Sequence, residues 1–421
     1  MSNHIKVYAR VRPRRTKFSS IERSRASATV PDRHTIESPV AITFKAARDS
    51  SQTFNFEHVF DTGTCQQEVF DTVAKPIVDS ALAGYHSTLF CYGQTGSGKT
   101  FTITGGAERY QDRGIIPRTI QHIFAHKQST NSTYTVAISY LEIYNEIGYD
   151  LLHSDRDSSK LTNLPRVAVM EDENECVHFT NLSVTHVATE EDALNLLFVG
   201  DTNRMIAETP SNPSSSRSHC IFRIMLTSKT PGRDTVAKST LNLVDLAGSE
   251  RVGRTGIDGT LLKEAKYINL SLHYLEQVIV ALRETTISKS KRSHVPYRNS
   301  MMTMVLRDSL GGNCKTSMIA TLAIEDVLID ESISTCRFAQ RVALVSNKAR
   351  LNEEVEPGIV IERLKREIEN LKAHLENNDI NQGTSSGLIV ADYEIEKYFL
   401  ANTESNKPLM FILEIRILTR F

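Results

Sequence analysis

Long apolar runs are missing from this chain of 421 residues: no stretch of about 18 uncharged apolar residues occurs, so no membrane span is expected. The N-terminus, Met1 to Arg15, is charged throughout and lacks the apolar centre of a signal peptide. Cysteine is scarce. The six, at positions 65, 91, 176, 220, 314 and 336, include no C-x-x-C pair. Neither a zinc site nor a disulfide framework is indicated, and a reducing compartment is the simpler reading. An excess of either charge is also missing, with a net charge of −1. The molecule as a whole is therefore neither a polyanion binder nor an acidic solvating tail, and any electrostatic partner must be met by a local patch. What is present is 40% hydrophobic residues, enough for a large core, on a length that suggests roughly two or three domains.

One stretch organises the rest. An apolar run, Leu89 to Tyr92, ends in Gly93-Gln94-Thr95-Gly96-Ser97-Gly98-Lys99-Thr100. Gly93, Gly98, Lys99 and Thr100 satisfy the phosphate-loop pattern G-x-x-x-x-G-K-[ST]. The glycines let the backbone curl so that successive N–H groups point at one anion. A helix expected from Lys99 adds its positive end. Lys99 is placed to reach the β/γ-phosphates and the Thr100 hydroxyl to hold Mg²⁺. An accidental match in a Gly/Ser/Thr surface loop does not account for the strand-like run before it or the lysine-threonine end. The expectation is a protein that binds ATP or GTP.

Along the chain, period-two alternation predicts strands over Ile5–Val11 and Phe54–Phe60, with a short one at Ala41–Phe44. Cys65–Ala83 reads as a helix, with Pro76 arguing against an unbroken run. A β-branched and aromatic run predicts a strand over Thr133–Tyr144. Glu190–Thr202 reads as a helix, Ile221–Leu226 and Ser239–Val244 as strands parted by Pro231-Gly232, and Ala265–Arg283 as a long amphipathic helix. The acidic Glu171–Glu175 reads as a solvated tip. Strands alternating with helices, with the loop at a strand's end, predict an α/β domain around a central sheet. After Pro357-Gly358, Ile361, Leu364, Ile368, Leu371 and Leu375 step by three and four, as a and d positions of about two heptads. That run fits a short coiled coil or a single amphipathic helix packing on the domain.

Two further elements bear on the nucleotide. Leu241–Asp245 is an apolar strand ending in an acid, followed by Leu246-Ala247-Gly248-Ser249-Glu250. An acid there, beside a phosphate loop, is where a Mg²⁺-linked water is held. The Gly248 N–H is placed to approach a γ-phosphate. The hydroxyl-rich run Asn212-Pro-Ser-Ser215-Ser216-Arg217-Ser-His219 abuts the next strand, and a flexible serine loop does not explain its arginine and histidine.

Arg10-x-Arg12-Pro13, Gly93–Thr100, Asn212–His219 and Asp245–Glu250 resemble, in order and spacing, the four nucleotide motifs of the kinesin motor domain. Tyr140–Glu146, Asn269–Leu272 and His294–Arg298 with Asp308–Asn313 extend the likeness over about residues 4 to 352. Gly105–Tyr110 and Ser271–Gln277 are similar to the kinesin-9 group, associated with cilia and flagella. The resemblance implies an α/β P-loop NTPase kinesin motor fold, with a central, mostly parallel twisted sheet and helices on both faces. It implies ATP and Mg²⁺ as cofactors. Arg10, Arg12 and Pro13 would form the adenine side, with Phe101 stacking on the base. Ser216 would join Thr100 and, through water, Asp245 at Mg²⁺, and Ser215 would face the lytic water. Arg217 and Glu250 would form the ion pair that closes the switches, a bidentate and geometrically selective pairing. Gly248 would sense the γ-phosphate.

The same resemblance implies microtubules as the partner, in the cytoplasm on the cytoskeleton or in a cilium or flagellum. Nucleic acid and membrane are not expected as partners. Basic residues bracket the long helix: Arg251, Arg254, Lys263 and Lys266 at one end, Lys289, Lys291, Arg292 and Arg298 beyond the other. Attraction of that kind is steeply salt-dependent. Asn299-Ser300-Met301-Met302 departs from the family, which commonly has a lysine there. The expected organisation is a motor domain over 1–343, a neck linker over 344–357 with a latch at Asn352, a short coiled-coil helix over 358–377 (a possible homodimer through 361–375), and a linker with a truncated tail over 378–421. The expected activity is an ATP-driven, plus-end-directed microtubule motor. The alternative is a non-motile microtubule binder that uses nucleotide only as a switch.

Overall fold

The computed structural model describes residues 4–14, 34–45, 51–106, 109–130, 132–153, 164–172, 177–206, 217–232, 234–250, 260–287, 294–355 and 357–382. The chain divides into two compact units, Met1–Glu354 and Val355–Phe421. In the first, the strands are β1 (Lys6–Val11), β2 (His34–Ser38), β3 (Ala41–Lys45), β4 (Ser51–Asn55), β5 (Val59–Phe60), β6 (Ser87–Tyr92), β7 (Thr133–Tyr144), β8 (Ile147–Asp150), β9 (Arg166–Glu171), β10 (Val177–Thr180), β11 (Thr185–Val187), β12 (His219–Lys229), β13 (Thr235–Asp245) and β14 (Lys315–Leu322), with β15 (Glu353–Val355) at its end. The helices are α1 (Gln66–Val69), α2 (Lys75–Leu82), α3 (Lys99–Ile103), α4 (Ile115–Ser129), α5 (Glu190–Ile206), α6 (Thr260–Ile287), α7 (Met301–Val305) and α8 (Ile329–Val342). In the second unit, α9 (Pro357–Gln382) is one helix carrying the heptad positions.

The large sheet runs in the order β10-β9-β8-β7-β12-β13-β6-β14-β1-β5. Around the phosphate loop it is parallel, β13 with β6, β6 with β14, β14 with β1 and β1 with β5. From β13 outwards through β12, β7, β8, β9 and β10 it is antiparallel. The expectation of a mostly parallel sheet is thus corrected to a mixed one. Part of the cause is local: tight turns, which only antiparallel neighbours accept, join β7 to β8 and β12 to β13. Asn145 and Glu146 turn between β7 and β8 at φ 52° and 62°, and Gly232 at φ 79° turns between β12 and β13.

Both faces of the central strands are buried, so their sequences are continuous apolar runs. Leu89 and Cys91 of β6 face one core and Phe90 the other. Val78, Ile120, Ala193 and Leu197 of α2, α4 and α5 pack on the first face. Leu275, Val278, Met302, Ile333 and Phe338 of α6, α7 and α8 pack on the second. Pro76 does break its helix: α1 and α2 are joined by a π-helical turn, Phe70–Ala74, in which the Lys75 N–H reaches back to Phe70 O. The expected strand 54–60 is two, because β4 pairs with β3 in a separate three-stranded sheet of β2, β3 and β4 while β5 pairs with β1 in the large one.

Candidate functional site: a phosphate loop and its closing carboxylate

β6 and β13 run side by side, with Asp245 opposite Cys91, so both strands deliver their last residues to one sheet end. That is where ligands bind in open α/β sheets. The loop after β6 is held from within. Ser97 Oγ donates to Gln94 O at 2.7 Å and shares a hydrogen with Thr321 Oγ1 at 2.6 Å. Gly98 has φ +104°, a left-handed conformation that a side chain would strain, and the next residue opens α3. Gly96 also lies at positive φ. Buried Lys99 donates through Nζ to Gly93 O (2.9 Å) and Gln94 O (3.0 Å). Burial lowers its pKa, opposed by the charges of Asp245 and Glu250.

Thr100 Oγ1 donates to Asp245 Oδ2 at 2.7 Å. Asp245 Oδ1 is buried and has no hydrogen-bond partner among the described residues. A buried carboxylate oxygen left open beside a threonine hydroxyl and a lysine, at the mouth of an N–H-lined loop, fits a Mg²⁺–triphosphate. Among the described residues no cluster of three His, Cys, Asp or Glu forms a metal site.

The loop after β13 folds onto the phosphate loop. Ser249 N–H donates to Gly93 O at 3.1 Å. Thr95 N–H donates to Glu250 Oε2 at 2.7 Å, and its hydroxyl donates to Glu250 Oε1. A Cβ on Gly248 would meet Thr95 Oγ1 at 2.3 Å and Glu250 at 2.4 Å, so this closure requires glycine. His219 joins the two switch sequences to α6: its Nδ1 accepts from Ala247 N–H (3.0 Å) and its Nε2 meets Ser271 Oγ (2.7 Å). The Ala247 bond fixes the neutral ring with the proton on Nε2, and burial lowers its pKa to about 3.

On the far side of the loop, Arg12 pairs with Glu325 at 2.8 Å and also donates to Pro13 O at 2.8 Å. Pro13 is exposed. Buried Arg10 lies 5.5 Å from the Phe101 ring, which is 42% exposed. Arg217 is half-buried just before β12. Ser215 and Ser216 lie outside the described residues, as do Arg251, Arg254, Lys289, Lys291 and Arg292. Lys263 and Lys266 fall on α6, whose side chains are described from Leu270 onwards.

Arg298, 72% exposed, is bound at 2.9 Å to Glu171, which also takes Arg307. The reading of Glu171 as a solvated tip is therefore corrected, and these bonds, Arg298 first, lower its pKa. Met301, where the family commonly has lysine, packs over Gly148, whose added Cβ would meet Met301 Cε at 2.3 Å. Its hydrophobic side chain is thereby used inward.

Residues 345–352 lie along the domain. Ile5 N–H donates to Val345 O at 3.0 Å. Asn347 Nδ2 donates to Ser309 O (3.0 Å) and Cys314 O (2.8 Å), and Lys348 N–H to Gly312 O (2.8 Å). Asn352 donates from N and Nδ2 to Gly84 O (both 3.1 Å) and accepts from Asn313 Nδ2 (2.8 Å) and Lys238 N–H (2.9 Å).

Two residues at the site were missed in the sequence. Buried Arg204 on α5 lies 3.4 Å from Asp245 Oδ2. Its signal was periodicity: with Ala193 and Leu197 it falls on the helix face that is otherwise apolar. Gln66 touches Arg10 and Phe101, and no local pattern marks it.

A mixed sheet covered on both faces, with a phosphate loop and an acid-glycine loop at adjacent strand ends, defines a P-loop NTPase. Residues 10–345 match the kinesin motor domain family model, and the chain belongs to that family. It is 40% identical to kinesin-like protein KLP1 of Chlamydomonas reinhardtii over 385 residues, covering 90% of this chain and 47% of that protein. It is 43% identical to human kinesin-like protein KIF9 over 323 residues, 75% of this chain and 39% of that protein, which carries the likeness to the kinesin-9 group. The chain thus spans less than half the length of these relatives. A solved structure of a fast kinesin, described with implications for ATPase mechanism and interactions with microtubules, superposes at a TM-score of 0.73 and 38% identity, covering 84% of this chain and 95% of that one.

Proposed function

We propose that the chain is a microtubule-stimulated ATPase that couples hydrolysis to movement along the track. The observation that carries this reading is the double closure: Glu250 and Ser249 seal the second loop on the first, and Asn352 seals residues 345–352 on Gly84 and Asn313. One sheet thus connects a nucleotide-facing loop to a displaceable segment.

The roles follow from placement. Gly93 to Thr100, with Gln94, Thr95, Gly96 and Ser97, present N–H groups to the phosphates, and Lys99 turns from Gly93 O and Gln94 O to the β/γ oxygens. Mg²⁺ would be held by Thr100, Ser216 and, through water, Asp245, and when bound it neutralises charge on the phosphate oxygens. Arg204 pairs with the Asp245 carboxylate and orients it. Removing one partner of such a buried pair costs about 3–5 kcal/mol. Ser215 positions the attacking water, Arg217 and Glu250 pair as the switches close, and Gly248 reports the γ-phosphate. Arg10, Arg12, Pro13 and Phe101 face the base.

Arg251, Arg254, Lys263, Lys266, Lys289, Lys291, Arg292 and Arg298 face the microtubule. Docking of residues 344–357 gives plus-end-directed motion, the heptads at 361–375 pair two copies, and the protein works on the cytoskeleton, including that of cilia. A gliding assay with surface-bound protein tests the coupling. Directional gliding in ATP is expected, and tethering without gliding, with ATP turned over, would instead identify a switch-type microtubule binder.

A further inference from the structure

Gln66 opens α1 and is 4% exposed, yet its side chain is fully used. Its Oε1 accepts from Arg10 Nη1 at 2.7 Å. Its Nε2 donates to Phe101 O at 2.6 Å and to Asp112 O at 3.2 Å. The same Arg10 Nη1 donates to Thr102 Oγ1 at 2.9 Å. Three separate segments, the end of β1, the helix after the phosphate loop and the turn at Asp112, therefore meet on one amide. Only a carboxamide of this length supplies an acceptor for a guanidinium and two donors for carbonyls at once. A carboxylate would face the Phe101 and Asp112 carbonyls with no donor, and a leucine would remove one hydrogen bond from each of Arg10 Nη1, Phe101 O and Asp112 O, leaving Arg10 Nη1 to Thr102 Oγ1 and Asp112 O to the Gly106 N–H.

The consequence is a supported aromatic surface. Phe101 is backed by the Arg10 guanidinium and leaves much of its ring exposed, beside the loop that takes the phosphates. A guanidinium behind a ring and a planar base in front of it form a stack whose position depends on both supports. We infer that Gln66 is a positioning residue for the nucleotide base: it fixes Phe101 and Arg10 relative to the phosphate loop and so sets affinity for the base without touching the reacting phosphates. The inference rests on the reading of Arg10 and Phe101 as the base side.

The test compares ATP with tripolyphosphate, which offers phosphates but no base, on the full chain. Gln66→Leu is expected to raise KM for ATP about tenfold, since the support behind Phe101 and Arg10 is lost, with kcat within about twofold. Inhibition by tripolyphosphate should stay close to wild type. Gln66→Glu, which keeps the volume, carries the same comparison if the leucine variant does not fold. An unchanged KM, or parallel loss of ATP and tripolyphosphate affinity, overturns the role of Gln66. Wild-type protein that binds ATP no more tightly than tripolyphosphate overturns the base-side reading itself, and the inference with it.

Discussion

At the scale of single residues, Glu250 and His219 do different work within one network. Glu250 takes two hydrogen bonds from Thr95, while Ser97, Lys99 and Thr100 are held by other partners. Glu250→Ala is therefore expected to leave ATP affinity within about threefold of wild type by fluorescent-nucleotide titration, and to lower microtubule-stimulated turnover at least about a hundredfold. Surviving turnover would contradict the closure assigned to this carboxylate. His219 is neutral because a proton on Nδ1 would oppose the Ala247 N–H. Its folded pKa of about 3 lies below the ordinary 6.5. The unfolded chain therefore takes up the proton first as pH falls. This contribution to stability is fully present above about pH 6.5 and is lost towards pH 3, at about 1.4 kcal/mol per pH unit. Melting temperatures between pH 7 and 5 should fall less steeply in His219→Gln than in wild type. The phosphate loop and Asp245–Glu250 were legible because each is contiguous. Arg204, Gln66 and Glu171 were not, because their partners lie 41, 56 and 127 residues away.

At the scale of elements, the fold places two loops and one segment around the same strands. β7 was legible to the residue because its β-branched and aromatic run is continuous and ends at the Asn145-Glu146 turn. β12 and β13 extend beyond their apolar stretches, as the ladders continue through Thr227, Ser228 and Lys229, the last opposite Val236 and Thr133. The antiparallel half of the sheet was not legible, since a strand's apolar pattern does not state its neighbour's direction. Beyond Val345, which is buried in the second core, the segment 345–352 is held by backbone and asparagine hydrogen bonds, with Leu351 exposed. Asn352→Ala removes the side-chain bonds to Gly84 and Asn313. Gliding velocity should drop several-fold while stimulated ATPase stays within about twofold; equal loss of both would place Asn352 in the catalytic step. Arg298→Ala removes an ion pair whose arginine is solvent-exposed, so melting should barely change. The microtubule concentration for half-maximal ATPase should rise several-fold, and an unchanged value would remove Arg298 from the track-facing set.

At the scale of the whole molecule, net charge near zero and a domain with two buried cores leave binding to local patches and movement to local segments. The helix of the second unit, α9, leaves Ile361 and Leu371 exposed in a single chain, with Leu364 and Ile368 half-covered. Sedimentation equilibrium should show a concentration-dependent dimer that Leu364→Asp abolishes; a monomer at tens of micromolar would mean that α9 does not pair. The central claim is that nucleotide hydrolysis at Gly93–Thr100 is coupled to a microtubule. Steady-state ATP turnover with and without microtubules tests it most directly. A rise of at least about tenfold that saturates with tubulin concentration and weakens with salt is expected. A rate unaffected by microtubules, from protein shown to bind ATP, would contradict it.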